Sequence, residues 1–191
     1  MKKIKRLWRS LRFVLLSGSG KQKYAEKKRL FAHYGCNVTF QPHLLPLYSE
    51  LIKIHDNVVV GRNVEFVTHD MIHKVINASK MAPDEKSWER VGCIEVMDNS
   101  FIGNGAIVMY GVKIAKNNII AAGSVVTKST EPNSVYAGVP AKRIGSFEDI
   151  VKKRLIEERN GIIPTIGVNQ KISGEEIERA WLSFYECNGR A

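Results

Sequence analysis

The chain has 191 residues, 44% of them hydrophobic and 25% charged, and its formal net charge is +10. This composition is typical of one soluble domain with short appendages. The positive charge predicts an anionic partner, such as a phosphorylated small molecule or a membrane surface. A nucleic-acid partner is not expected, because the basic residues crowd the N-terminus and the segment after residue 127 instead of clustering with aromatic residues on one element.

The three cysteines, Cys36, Cys93 and Cys187, are far apart in the sequence. Their odd number and their spacing indicate neither a disulfide framework nor a metal site. A reducing compartment, the cytoplasm, is therefore the expected location.

Residues 1–16 are predicted to form a basic amphipathic helix. One helical face collects Ile4, Leu7, Trp8, Leu11 and Leu15. Arg9 and Arg12 interrupt any signal-peptide core, and the apolar run is too short to span a bilayer. Two interpretations stay open: the helix lies on an anionic membrane, or it packs on the protein. A flexible break at residues 17–20 and a second short basic helix over residues 21–33 are predicted to follow.

From Tyr34 the chain repeats in units of six residues, most regularly over residues 96–131. The first position of the clearest units is β-branched and aliphatic: Ile54, Val60, Val96, Ile102, Val108, Ile114, Ile120 and Val126. The fourth position of the same units holds Asn57, Asn63, Asn99, Gly105, Gly111, Asn117, Gly123 and Ser129.

A period of six fits neither a helix nor an ordinary hairpin array, but it fits a short strand followed by a corner. The β-branched residue would point inward, and Gly or Asn would supply the positive φ of the corner. Since three such units close one turn of a three-sided column, the repeats predict a parallel β-helix. Chance turns in a β-sandwich would not place Gly or Asn so regularly.

The repeat is interrupted after Asp70 and returns at about residue 91. Residues 71–91 show no six-residue column, and a loop of about 20 residues inside a solenoid is usually functional or disordered. We interpret it as an excursion from one corner that covers a site.

Beyond the repeats, residues 134–144 are predicted to close the solenoid. Two amphipathic helices are expected over residues 147–159 and 175–187. They would cap the last coil, whose edge would otherwise present unpaired backbone groups.

These repeats, with the strings IAAGSVVTK at 120–128 and AGVPAK at 137–142, resemble the hexapeptide-repeat acyltransferases, especially the branch of maltose, galactoside and capsular polysaccharide O-acetyltransferases. The resemblance implies a mainly β fold, a left-handed parallel β-helix with short terminal helices and one external loop at about 70–91. The handedness comes from the resemblance alone, because the usual crossover rule favours the other hand.

The expected organisation is a basic N-terminal helical segment (1–33), a left-handed β-helix acyltransferase domain (34–145) and a C-terminal helical extension (146–191). A prism this short buries little by itself. The family forms trimers with the active site between subunits, so the resemblance implies a homotrimer.

The resemblance also implies the catalytic residues. His69, in the string Thr68-His69-Asp70, lies where the family has its general base, a role that suits an imidazole near neutral pH. Asp70 is expected either to orient His69 or to bind the acceptor. A backbone amide near Asn104 is expected to stabilise the oxyanion. No metal is expected, although His69 and His73 share an HxxxH spacing, because the regular run 96–131 contains no histidine.

Acetyl-CoA is the implied cosubstrate. Backbone contacts are expected from Ala122 and Gly123, and contacts with the nucleotide end from Thr127, Lys128, Lys142 and Arg143. The lysines suit the anionic phosphates of the carrier. Phe101 is expected beside the thioester arm. Gly145 departs from the family pattern, since some relatives have a further basic residue there.

The sequence therefore predicts an acetyl-CoA-dependent O-acetyltransferase that modifies a sugar of a bacterial polysaccharide or its precursor. It would act in the cytoplasm, at the inner face of the membrane if residues 1–16 contact lipid. A nucleotide-sugar N-acetyltransferase and a non-catalytic β-helix scaffold subunit remain as alternatives.

Overall fold

The computed structural model describes residues 2–81, 83–161 and 172–189. Two compact units are present, the first ending at Phe147 and the second beginning at Glu148. The helices are α1 (Lys2–Leu15), α2 (Gly18–Lys28), α3 (Ile72–Ser79), α4 (Phe147–Arg159) and α5 (Gly174–Asn188). Among the described residues, no helix is long and apolar enough to cross a bilayer.

Three sheets form the faces of a prism, and we name them A, B and C. Sheet A contains β1 (His33–Tyr34), β3 (Ile52–Ile54), β6 (Ile94–Val96) and β9 (Lys113–Ile114). Sheet B contains β2 (Thr39–Phe40), β4 (Val59–Val60), β7 (Phe101–Ile102), β10 (Asn118–Ile120), β12 (Ser134–Gly138) and β13 (Ala141–Ser146). Sheet C contains β5 (Glu65–Val67), β8 (Ile107–Met109) and β11 (Val125–Val126).

From β3 to β11 the chain visits the sheets in the order A, B, C and then returns to A one coil further on. Pairing between successive coils is parallel, as for Val60 with Ile102 and Val96 with Ile114. The predicted β-helix is thus confirmed. Among the strands of the described residues, β12 and β13 alone pair with each other in antiparallel fashion, and this hairpin closes the last coil as the sequence predicted.

The β-branched residues at the first position of the six-residue units, which we call the β-branched column, form the core. Its members are fully buried or nearly so: Ile54, Val60, Val96, Ile102, Val108, Ile114, Ile120 and Val126. Burial of an aliphatic side chain stabilises a fold by about 1.5–3 kcal/mol, so one such residue per strand supplies the axis of the solenoid.

The corners adopt the predicted positive φ. Asn57, Asn99 and Asn117 have φ of 55–56°, and Gly105, Gly111 and Gly123 have φ of 69–78°. We name each corner by the two sheets that it joins. At the A–B corner, where the chain passes from sheet A to sheet B, the asparagine side chains also form hydrogen bonds from coil to coil. The four bonds, of 2.7–3.1 Å, link Asn37, Asn57, Asn99, Asn117 and Asn133 in that order. Ser129 does not share the positive φ; its hydroxyl accepts a bond from the Lys113 amide at 3.0 Å.

Helix α1 closes the N-terminal end of the prism. Phe13 is 1% exposed and packs in an aromatic cluster with Phe31, Tyr34 and Phe40, at centroid distances of 5.6–6.0 Å. Both N-terminal helices belong to the same compact unit as the coils.

The prediction of a flexible break at residues 17–20 was wrong. Gly18, Ser19 and Gly20 form the first turn of α2, and only Leu16 and Ser17 separate it from α1. Tertiary packing explains the difference, because the buried Ala25 holds α2 against the prism and outweighs the poor helix propensity of glycine.

The second unit contains nearly all of α4 and the whole of α5, both close to their predicted bounds. Helix α5 begins with a capping box between Ser173 and Glu176. On its surface Trp181 contacts the rings of Phe184 and Tyr185.

The close approach of successive coils predicts a specific sensitivity at Gly103. A Cβ there would lie 2.5 Å from the Ala122 nitrogen, whereas a Cβ at Gly145 would meet no atom within 4 Å. Gly103→Ala should therefore lower the free energy of unfolding by about 1–3 kcal/mol, and the matched Gly145→Ala by less than about 0.5 kcal/mol. Chemical denaturation measures both values, and equal stability of the two variants would contradict this packing.

Candidate active site

The loop between β5 and β6 leaves the C–A corner at His69 and returns to it at Val91. These two residues form an antiparallel bridge, and the Asp70 amide donates to the Arg90 carbonyl at 3.0 Å. The Gly92 amide donates to the Thr68 carbonyl at 2.9 Å. The loop thus begins and ends in a hydrogen-bonded neck that fixes the backbone on both sides of His69.

The loop contains a short helix, α3, that the sequence analysis did not predict. The part of the loop that runs from α3 back to the neck is joined to α3 by two hydrogen bonds of 2.9 Å, in which the Asn77 side chain pairs with the backbone of Ser87. The loop exposes large apolar side chains: Met71, Ile72, Val75, Ile76, Met81, Trp88 and Val91. An exposed apolar patch of this kind marks a contact surface for another molecule.

Tyr110 joins the neck to the next coil. Its hydroxyl donates to Asp70 Oδ2 at 2.6 Å, and Asp70 Oδ1 accepts from the Ile72 amide at 3.1 Å. The hydrogen bond from Tyr110, followed by that from the Ile72 amide, holds the pKa of Asp70 below its usual value. The same bond raises the pKa of Tyr110. Asp70 is therefore a fixed carboxylate, and both of its oxygens are used for holding the neck and the start of α3.

Because residue 92 is a glycine and has no side chain, Tyr110 can lie close to the neck. A Cβ at Gly92 would lie 3.1 Å from the Tyr110 Cβ and 3.2 Å from its ring, which is tighter than ordinary contact. Neither Gly92 nor Tyr110 was identified from the sequence. The signal that could have shown Tyr110 is its register, because it follows β8 just as Thr68 follows β5.

His69 is half-buried at the edge of a groove. Its ring meets Tyr48 edge to face, with centroids 5.4 Å apart and planes at 86°. Its Nδ1 is buried and makes no hydrogen bond to any described residue. The groove has a volume of about 460 Å³ and is also lined by Arg6 of α1 and by the 42–47 segment. A buried polar atom without a partner is rare in folded proteins, and catalytic sites are one place where it is found.

A second set of predicted residues gathers at the B–C corner. Asn104 Oδ1 accepts from the Arg62 amide at 2.8 Å, and the Asn104 carbonyl accepts from the Gly123 amide at 2.9 Å. Ala122 and Gly123 are exposed, and Gly123 has the positive φ of this corner.

The AGVPAK hairpin adds to the B–C corner. The Gly138 amide donates to Ser124 Oγ at 3.2 Å, and Lys142 pairs with Ala137 across the hairpin. The Arg143 side chain already has partners within the protein. Its Nε donates to Ser134 Oγ at 3.0 Å and lies 3.9 Å from a Glu131 carboxylate oxygen. Lys142 therefore remains the better placed cation for a ligand at this corner.

The predicted site residues thus separate into two groups on opposite edges of sheet C. His69 and Asp70 lie at the C–A corner, just after β5. Thr127 and Lys128 lie at the same corner just after β11, which is two coils further along. The two pairs of residues are therefore about 10 Å apart along the axis of the prism. Asn104, Ala122, Gly123 and Lys142 lie at or beside the B–C corner. Phe101 is exposed on sheet B, in register with Val59 and Ile119. Within one chain, His69 and Asn104 do not meet.

No cluster of His, Cys, Asp and Glu side chains with the geometry of a metal site is found in residues 2–81, 83–161 and 172–189. His73 lies four residues after His69, in the first turn of α3, and its own Nδ1 is buried without a described partner.

Comparisons with known proteins agree with this architecture. The family described as "Bacterial transferase hexapeptide (six repeats)" matches residues 94–128. A protein of Schizosaccharomyces pombe with a provisional acetyltransferase name is 38% identical over 64% of this chain and 52% of its own length. The galactoside O-acetyltransferase of Escherichia coli is 33% identical over 61% of this chain and 55% of its own. The chain spans about half the length of these two relatives.

Among solved structures, a galactoside acetyltransferase in complex with coenzyme A superposes with a TM-score of 0.56. It is 25% identical, and the match covers 79% of this chain and 83% of that one. The structural neighbours are left-handed β-helices, so the predicted handedness is confirmed.

The Asp70–Tyr110 bond can be tested by removing one hydroxyl. Tyr110→Phe should raise the pKa of Asp70 towards its usual value, because the largest stabilising contact of the carboxylate is lost. Carbon-detected NMR titration of the Asp70 carboxyl measures the shift, and amide exchange at residues 70 and 92, whose amides donate the two bonds of the neck, should become faster.

Tyr136→Phe is the matched control, since the Tyr136 hydroxyl accepts from the Glu131 amide at the other end of the prism. It should leave the Asp70 titration unchanged. An identical Asp70 titration in Tyr110→Phe and the wild type would show that the bond does not exist in solution.

Proposed function

We propose that this chain, which belongs to the bacterial hexapeptide-repeat transferases, is an acetyl-CoA-dependent O-acetyltransferase that modifies a sugar hydroxyl, with His69 as general base. The observation that carries the proposal is the environment of His69. A hydrogen-bonded neck holds a half-buried imidazole at the edge of an open groove, and one buried ring nitrogen has no partner among the described residues.

In the proposed reaction the imidazole accepts the proton of the acceptor hydroxyl while the oxygen attacks the thioester carbonyl carbon. A new carbon–oxygen bond forms and the carbonyl oxygen becomes an oxyanion. When the tetrahedral intermediate collapses, the carbon–sulfur bond breaks and the imidazolium returns its proton to the leaving thiolate. A base of this kind contributes about 10²–10⁴-fold.

A backbone amide near Asn104 is proposed to donate to the oxyanion. Asn104 is well fixed, because its side chain bonds the Arg62 amide and its carbonyl bonds the Gly123 amide. A fixed donor stabilises the developing charge without reorganising during the reaction. Since Asn104 and His69 lie at opposite edges of sheet C, the donor and the base would come from neighbouring chains.

We therefore propose a homotrimer with its sites between chains. Val67, Ile107, Met109 and Val125 are half-buried and alternate with the inward Phe66, Val108 and Val126 of sheet C. Apart from the exposed Glu65, their outer face is apolar, whereas the outer face of sheet A carries His33, Lys53, Glu95 and Lys113. An apolar outer face is stabilised when another chain covers it.

Acetyl-CoA would lie along the B–C corner of one chain. Backbone groups of Ala122 and Gly123 would bond its pantetheine amides, and Phe101 on sheet B would flank the thioester arm. Lys142 would face the phosphates, with Thr127 and Lys128 at the far edge of sheet C contributing across the chain boundary. Arg143 would assist only by giving up its contacts with Ser134 and Glu131.

The acceptor is proposed to be a sugar of a polysaccharide or its precursor, bound between the groove and the apolar loop. The E. coli relative acts on a galactoside, by its name, which favours oxygen over nitrogen as the attacking atom. The reaction would take place in the cytoplasm, where acetyl-CoA is available, at the inner face of the membrane.

Replacing the base tests the reaction. His69→Ala should lower acceptor-dependent release of coenzyme A by about 10²–10⁴-fold, because the imidazole proposed to accept the hydroxyl proton is lost. The affinity for acetyl-CoA, measured by calorimetry, should stay within about twofold, since the carrier lies at the other corner.

His33→Ala is the matched control, because His33 lies on the outer face of sheet A. It should retain full activity. Full activity of His69→Ala would remove His69 as the base, and no turnover by the wild type with any sugar, although acetyl-CoA binds, would favour a scaffold subunit.

Replacing an outward side chain of sheet C tests the trimer. Met109→Asp would bury a carboxylate in the proposed interface, so the variant should be a folded monomer by light scattering. Lys53→Asp, on the outer face of sheet A, should remain a trimer. A trimeric Met109→Asp, or a monomeric wild type, would contradict the proposed interface.

A further inference from the structure

Helix α1 presents its apolar face to solvent. Ile4, Leu7, Trp8, Leu11 and Leu15 are between 50% and 77% exposed. They recur at helical spacing and form one stripe, which we call the α1 outer face. A stripe of this kind is normally the side by which a helix packs on its own protein, and here it is not used for that purpose.

The opposite side of α1 is fixed to the prism. Ser10 and Phe13 are each 1% exposed, and Ser10 Oγ accepts from the Leu45 amide at 3.0 Å. Phe13 lies in the aromatic cluster at the end of the prism. The helix therefore cannot turn over to hide its outer face without breaking these contacts, and the exposed stripe is a property of the folded state.

Basic residues border the α1 outer face. Lys5, Arg9 and Arg12 line a shallow groove together with Trp8 and Leu11, and Lys28 of α2 lies on the groove's other side. Helix α1 contains no acidic residue, and its sequence carries six basic ones: Lys2, Lys3, Lys5, Arg6, Arg9 and Arg12. An apolar stripe with a cationic border matches an anionic lipid surface, with apolar groups entering the acyl boundary and charges meeting the headgroups.

We propose that the α1 outer face docks on a membrane surface that contains anionic phospholipids. A second copy of this chain is a poorer occupant, because self-pairing would bring two sets of basic residues together without an acidic partner on either helix. The inference does not depend on the acetyl transfer proposed above, since binding requires neither acetyl-CoA nor an acceptor.

Docking would bring the membrane close to the His69 groove. Arg6, on the other side of α1, lines that groove together with His69. The lipid surface and the groove would thus be separated by about one helix diameter, 10–12 Å. An acceptor attached to a lipid headgroup would reach the groove from that surface.

Vesicle co-sedimentation of the full chain tests the proposal. Binding to phosphatidylcholine vesicles with about 30% phosphatidylglycerol should exceed binding to pure phosphatidylcholine by at least about tenfold, and added salt should weaken it. The double variant Leu7→Gln/Trp8→Gln should lower the partition coefficient by about tenfold or more, because the stripe loses its largest apolar group. Lys5→Glu/Arg9→Glu should lower it on anionic vesicles only.

Trp181→Gln is the matched control, because Trp181 is another tryptophan that is more than half exposed, on α5. It should bind like the wild type, and unchanged thermal unfolding of all variants would show that folding is intact. The proposal is overturned if the wild type binds neither vesicle, if neutral vesicles bind equally well, or if the Trp181 variant alone loses binding. It is also overturned if Leu7→Gln/Trp8→Gln changes the number of chains by light scattering, which would make the face an interface between copies.

Discussion

The left-handed backbone conformation at the corners is the constraint on which the structure depends. Strands of two or three residues can follow one another around a prism only if the chain turns sharply every six residues. Asn and Gly reach the required φ at the lowest cost, and the asparagine side chains at the A–B corner also bond between coils. Because the coils are held at a fixed spacing, residues distant in sequence stand above one another at a corner.

The sequence predicted what is local and periodic. The β-branched column and the Gly/Asn column gave the prism, its core and its corners, because each unit of six residues repeats the same packing environment. The bond from Tyr110 to Asp70 could not be predicted in this way, since it joins residues 40 positions apart and depends on how the loop returns to the corner. The helix at Gly18 was missed because burial of Ala25, not local propensity, decides it.

The orientation of α1 could likewise not be predicted from the sequence. Its amphipathic pattern defined an apolar face but left open whether that face packs on the protein. Phe13, which lies outside the stripe, packs in the aromatic cluster and so determines which side of the helix faces the protein. Three surfaces of the first unit consequently differ in character: the outer face of sheet A is charged, that of sheet C is apolar apart from Glu65, and the α1 outer face is apolar with a cationic border. These characters match solvent, a neighbouring chain and an anionic lipid surface.

In the proposed homotrimer, one reaction site is completed by two chains, with His69 from one and the B–C corner from the next. Co-expression of His69→Ala with Ala122→Asp, which blocks the carrier position, tests it most directly. Each variant alone should be inactive, while mixed trimers should recover about a third of the wild-type activity, because one of their three sites would contain both intact residues. With equal amounts of the two variants, about three quarters of the trimers are mixed, so the whole population should recover about a quarter. Mixed trimers that form but stay inactive would contradict a site shared between chains.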